Sequence, residues 1–352
     1  MPLARRVVLV PAGERASGPP TGHRPALTTH SDFQPAWWLP GPHCQTLWPT
    51  LLRRRICSSL SRQRLELDDG DFLDLDWAPP GNGPVVLVVH GLEGSARSHY
   101  IGGLLGELHN AGMHAVVMHL RGCSGEPNRL ARSYHAGETA DLAAAVTAIR
   151  TRYPDRRIAA VGFSLGGNAL LKWLAELGAA APLSAAAAVS VPFDLAAAAQ
   201  KLNRGSSRLY QYYLLRALRR SLRRKAARTP MPINMARALK ATTIWEFDDL
   251  VTAPLHGFAD AADYYARSSS TACLSDIQVP TLILHACDDP FLPPHAIPAA
   301  KALAPAITME ISQHGGHVGF VSGWRPWRPQ YWHERRIRDY LETTLDDTSL
   351  PD

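Results

Sequence analysis

Three residue types that can together attack a carbonyl carbon are spread along this chain of 352 residues: Ser164, a pair of aspartates at 288 and 289, and His317. A serine hydroxyl is a weak nucleophile until a base takes its proton, and an imidazole oriented by a carboxylate is such a base. Ser164 lies in Gly162-Phe163-Ser164-Leu165-Gly166, between the apolar run "RIAA" and the helical pattern "NALLKWLAELG". G-x-S-x-G at a strand-to-helix turn forces the serine into a strained conformation, and glycines flank it because a Cβ there would meet neighbouring backbone. The blander reading makes Ser164 the cap of the helix that follows.

The partners are expected later in the chain, in the order serine, acid, histidine. "LILHACDDPFLPP" places Asp288 and Asp289 just after a buried strand, and "MEISQHGGHVGF" places His317 in a glycine-rich loop after the next. Loops at the carboxyl ends of parallel strands are where such sheets build their sites. Asp289, immediately before a proline turn, is the expected acid, and Asp288 is its alternative and otherwise a cap or ion-pair residue. His314 competes with His317 and is expected to end the strand. A zinc reading of "HGGH" lacks a helix and a third ligand, so neither metal nor cofactor is expected. Oxyanion donors are expected from the backbone N–H groups of Leu92, in "HGLEGSARSHY", and of Leu165; His90 then serves the turn rather than the chemistry.

Positioning these residues takes a regular scaffold. "RQRLEL" and "FLDLDWA" alternate polar with apolar around the turn "DDGD" and predict an antiparallel hairpin. "PVVLVVHG" is an aliphatic run typical of a strand buried on both faces. A helix from Tyr100 to Ala111, the strand "HAVVMHLRG", the helix "GETADLAAAVTAIRTRY" and the strand "RIAAVGFS" follow. After the elbow helix come the strand "SAAAAVSVPF", then "VPTLILHACDD" (strand), "IPAAKALA" (helix), "ITMEISQHGGH" (strand and loop) and a last helix near 330–345. Strand and helix in alternation predict an α/β fold with a doubly wound, mostly parallel sheet.

The rhythm stops at 194–265, which predicts a helical cap inserted in a core made of 31–193 and 266–345. Residues 1–30, rich in Pro, Gly, Thr and Arg, predict a flexible extension. The stretch "FQPAWWLPGPHCQTLWPTLLRRR" predicts an extended arm anchored by Trp37, Trp38 and Trp48, with those rings serving as packing.

The hydrophobic share of 46% suffices for a large buried core. No apolar run reaches the roughly 20 residues of a membrane span, and the start of the chain lacks the pattern of a signal peptide. Five cysteines without a C-x-x-C pair suit a reducing compartment, so the expected location is cytoplasmic, with contact at the inner membrane face allowed. The net charge of +6 is local: seven Lys or Arg and no acid fall in 216–228. That excludes a wholly nucleic-acid-binding surface. Arg216, Arg219, Arg220, Arg223 and Arg224 share one helical face, which is either a solvated cap helix or a contact for anionic lipid headgroups.

Taken together, "HCQTL", "HGLEGSARSHY", "RGCSGEPNR", "GFSLGGN", the string from Asp249 to Tyr265 containing "GF" and "DYY", and "DDPF" resemble the YheT-like α/β-hydrolases from about Phe33 onward. That branch includes eukaryotic relatives with esterase and lipase activities. The resemblance implies the α/β-hydrolase fold, a triad on Ser164, Asp289 and His317, and hydrolysis of carboxylic esters with short- to medium-chain acyl groups or of monoacylglycerol-like lipids. An acyltransferase or an amidase would use the same residues. A non-catalytic membrane-binding protein would not need them.

Overall fold

The computed structural model describes residues 27–53 and 59–346. Its main sheet is built from β1 (Leu27–His30), β2 (Ser61–Glu66), β3 (Phe72–Trp77), β4 (Val85–Val89), β5 (His114–His119), β6 (Ile158–Phe163), β7 (Ala185–Val189), β8 (Thr281–Ala286) and β9 (Ile307–Ser312). The strand order is β1-β9-β8-β7-β6-β4-β5-β3-β2. Only β3 runs antiparallel to its neighbours, β2 and β5; all other pairs are parallel.

Side chains alternate across this sheet, as the two-residue period of a strand requires. Val85, Leu87 and Val89 of β4 enter one core cluster. Val86 and Val88 enter the other. Helices α3 (Ala140–Arg152) and α4 (Leu165–Leu177) cover the first face, and α2 (His99–Asn110) and α11 (Trp332–Asp346) cover the second. Because β4 has β5 on one side and β6 on the other, the connections diverge at its carboxyl end and leave a crevice there.

Between β7 and β8 the chain forms α5 (Leu195–Leu202), α6 (Ser207–Ala226) and the shorter α7 (Met235–Ala238), α8 (Ile244–Phe247), α9 (Ala253–His256) and α10 (Ala261–Ser268). Their apolar residues, Leu202, Leu215, Leu222 and Phe247 among them, join the cluster on the first face of the sheet. A wide π-type turn, Asp248–Thr252, links α8 to α9. The segment's last helix ends at Ser268, past the expected boundary at 265.

Three expectations need correction. Residues 27–30 are not part of a structureless extension: they add a parallel edge strand to β9, held by main-chain hydrogen bonds that need no hydrophobic signature. Residues 1–26 lie outside the described structure. The expected extended arm contains helix α1 (Gly41–Leu52), started by Pro42 in its first turn and continued through Pro49. Of the anchoring tryptophans, Trp38 and Trp48 pack together at 4.8 Å, whereas Trp37 is 66% exposed. Finally, "IPAAKALA" forms only a short 3₁₀ turn, Ala300–Ala302, rather than a helix. A hairpin of β10 (Val321–Ser322) and β11 (Gln330–Tyr331) precedes α11.

Candidate active site

Ser164 sits between β6 and α4 with φ 50° and ψ −119°, a conformation that L-residues avoid. Two close approaches hold it there. A Cβ on Gly162 would lie 2.6 Å from Gly167 Cα, and one on Gly166 would lie 2.4 Å from the His90 carbonyl oxygen. Main-chain bonds complete the bend: Ser164 N–H donates to the Val189 carbonyl (2.9 Å), and its own carbonyl accepts from Asn168 N–H (3.0 Å).

The Ser164 hydroxyl is 3.0 Å from Nε2 of His317, and Nδ1 of that ring is 2.8 Å from Oδ2 of Asp289. With Nδ1 protonated toward Asp289, Nε2 is left to accept from the hydroxyl, the tautomer a general base requires. Asp289 is buried and also accepts from Phe291 N–H at 2.8 Å. The Phe291 ring lies parallel to the imidazole at 3.9 Å.

Of the alternatives at these positions, Asp288 faces elsewhere. It accepts from Gly316 N–H (2.9 Å) and approaches His314 at 3.5 Å, and burial raises its carboxyl above the usual range. His314 lies beyond the end of β9, exposed, rather than ending the strand. Consecutive amides anchor the histidine loop: Gly316 to Asp288, His317 to Thr46 Oγ1 (2.9 Å) and Val318 to Ser190 Oγ (2.9 Å). Gln45 Oε1 accepts from Val321 N–H (2.7 Å), and its Nε2 donates to the Val321 carbonyl (3.1 Å).

The loop after β4 presents its backbone to the same place. Gly91 N–H donates to the Tyr100 hydroxyl (3.0 Å) and Glu93 N–H to the Tyr134 hydroxyl (2.8 Å). The Leu92 N–H between them has no acceptor among the described residues, and neither has the N–H of Leu165 at the start of α4. Glu93, at φ 53°, is further tied to α6, where Ser221 Oγ donates to its carboxylate at 2.5 Å. His90 bonds the Gly91 carbonyl through Nδ1 (2.8 Å) and accepts from Leu120 N–H (3.2 Å). Burial holds it down to about 3, so it is a neutral brace of the turn.

Residues unmarked by the chemical reading also shape the site. Asn168, one turn after the serine and fully buried, donates to the carbonyls of Ala136 and Ser268 and accepts from Ser270 N–H. It thereby fastens the elbow helix to the end of α10. The motif strings "HCQTL" and "GFSLGGN" contained the signal for Gln45, Thr46 and Asn168.

Ser164, His317, Leu92 and Leu165 all line one cavity of about 970 Å³. Its opposite wall is largely apolar, with Leu202, Leu214, Leu218, Leu222, Phe247 and Val251 from the segment between β7 and β8.

Comparison with known proteins identifies the family. A family model described as the alpha/beta hydrolase fold matches residues 84–323. The chain is 44% identical over 329 residues to the YheT protein of Escherichia coli, covering 92% of this chain and 96% of that one. It is 30% identical to the mouse phospholipase ABHD3, over 98% of this chain and 86% of that protein. Among solved structures, an esterase of Pyrococcus furiosus shares the fold at 15% identity, with a TM-score of 0.53 over 81% of this chain and 93% of that one. By this match of model, sequence and sheet, the chain belongs to the α/β-hydrolase family, in its YheT-like branch.

Proposed function

We propose a specific reaction for this carboxylic ester hydrolase: cleavage of short- to medium-chain acyl esters or monoacylglycerol-like lipids through a Ser164–His317–Asp289 triad and an acyl-enzyme. The observation that carries the reading is the unbroken relay from Asp289 through His317 to Ser164, at 2.8 and 3.0 Å, opening into an apolar cavity. His317 takes the Ser164 proton as the oxygen attacks the ester carbonyl. The N–H groups of Leu92 and Leu165 receive the charge that develops on the carbonyl oxygen. The imidazolium then protonates the leaving alkoxide, and water activated by the same ring releases the acid. In this reading 194–268 is a cap whose leucines hold the acyl chain, and burial of that chain supplies most of the binding.

A fluorophosphonate probe tests the nucleophile: it should label the wild-type chain and leave Ser164→Ala unlabelled. In a series of p-nitrophenyl esters, His317→Ala should lower kcat by about 10⁴-fold or more with the fold intact by circular dichroism. Labelling of Ser164→Ala, or a loss of only a few fold in His317→Ala, would remove the assignment.

A further inference from the structure

Eight large apolar side chains are strongly exposed among the described residues, and all fall on three segments. Trp37, Leu51 and Leu52 belong to α1 and the loop before it; Leu209, Tyr212 and Tyr213 to the first turns of α6; Trp324 and Trp327 to the loop joining β10 and β11. These segments touch. Trp37 Nε1 donates to the Trp324 carbonyl (3.0 Å), with the two rings 5.8 Å apart, and Trp38 Nε1 donates to the Gly323 carbonyl (3.0 Å). On the other side, His43 of α1 bonds the Tyr210 hydroxyl and Ser206 Oγ, each at 2.9 Å. A cluster of exposed large apolar side chains marks an interaction surface.

Charge on the same face is of one sign. The hairpin loop reads "GWRPWRPQ", with exposed Arg325 and Arg328 interleaved between the tryptophans. Along α6, Arg208 is exposed beside the apolar start, and Arg216, Arg220 and Arg223 on the turns that follow. No aspartate or glutamate occurs in 33–53, 204–228 or 323–331. The basic tract is not uniformly outward, however. Arg219 donates to the Ala241 carbonyl, and Lys225 is buried against the carbonyls of Leu130 and Arg132.

Leu51, Leu209 and Tyr213 are at once exposed and part of the cavity wall that includes Ser164. The cavity mouth therefore lies in the apolar, cationic face. A surface that takes leucines and aromatic rings into an apolar layer while arginines reach anionic groups is a lipid–water interface. Nucleic acid would engage the arginines and leave Leu51, Leu52 and Leu209 unused. No helix among the described residues is long and apolar enough to cross a membrane.

We propose that this face docks the protein on an anionic lipid surface, so that ester substrates enter the cavity from the bilayer rather than from water. The docking stands on its own observations, and only the entry of substrate rests on the ester-hydrolase reading. Sedimentation of the Ser164→Ala protein with vesicles of phosphatidylcholine, alone or mixed with phosphatidylglycerol, tests it without turnover. The mixed vesicles should carry the protein down, less so at high salt. Trp324→Ser with Trp327→Ser should weaken this binding by about tenfold or more while leaving hydrolysis of a soluble short-chain ester unchanged. Arg325→Gln with Arg328→Gln should narrow the preference for the mixed vesicles over the neutral ones.

Absence of vesicle binding, undiminished binding by the double tryptophan variant, or equal retention on single-stranded DNA that ignores the tryptophans would overturn the proposal. Vesicle binding by a protein that hydrolyses no soluble ester would uphold the docking and sink the ester reading instead.

Discussion

The floor of the cavity and its roof are built on different terms. On the floor, Ser164, Asp289 and His317 hang from the carboxyl ends of β6, β8 and β9, and main-chain hydrogen bonds fix the turns that carry them. The roof comes from the run of helices between β7 and β8, several of a single turn, which turns Leu202, Leu214, Leu218, Leu222, Phe247 and Val251 to the cavity beside a few polar residues such as Ser221 and Asp248. Apolar contact is non-directional and tolerates change of shape, whereas proton transfer fails once an oxygen and a nitrogen part by an ångström. The floor should therefore govern rate, and the roof should govern which chain is accepted.

The largest effect that could break this contrast lies in the two neighbouring aspartates. Asp289→Asn should lower kcat by about 10⁴-fold, because the amide cannot hold the imidazole in the required tautomer. Asp288→Asn keeps an oxygen for Gly316 N–H and should cost under about tenfold. Equal losses would show that the relay does not discriminate between them.

A smaller, sharper effect belongs to the roof. Leu218→Trp narrows the cavity without touching the relay, so kcat/KM for medium-chain esters should fall by about 10- to 100-fold while acetyl esters change little. A uniform fall over all chain lengths would mean that the roof also sets the chemistry.

The smallest effect concerns how the roof is held together. Asp248, in the wide turn, accepts from Thr252 and Tyr265 hydroxyls at 2.6 Å each, and burial raises its carboxyl to about 6. A folded-state value above the unfolded one, about 4, means the protonated form is favoured in the fold. Its stabilising contribution is complete below about pH 4 and disappears as pH rises through about 6. Asp248→Asn cannot ionise, so relative to wild type its thermal stability should improve from pH 5 to pH 8, by about 1 kcal/mol. A difference that does not vary with pH would exclude burial of this carboxyl as the cause.

The floor was also the more legible half in sequence. Buried strands announce themselves by unbroken aliphatic runs, and the elbow by its glycines, so β4 to β9 and Ser164 followed from local pattern. Asp289 was harder, since Asp288 shares its chemistry and only the fold aims one carboxylate at His317. β1 carries no sequence signature because its role at the sheet edge is fulfilled by backbone atoms, and α1 is disguised by two prolines. Thr46 and Asn168 act through hydrogen bonds to distant main chain, a role that leaves no periodic trace. Of the proposed docking face, sequence shows only the α6 arginines, as one of two readings, and not the apolar segments beside them. Its three segments are separated by more than a hundred residues each and meet only in space.

The ring of Phe291, flat against one side of His317, restricts how that imidazole can travel. Sliding or rocking within its own plane is permitted; swinging out toward Phe291 is not. In the proposed reaction the alkoxide collects its proton from Nε2 at the edge of the imidazole, and Phe291 keeps the ring from swinging away on its side. A carbon side chain with no exchangeable proton thus limits where the proposed base can move.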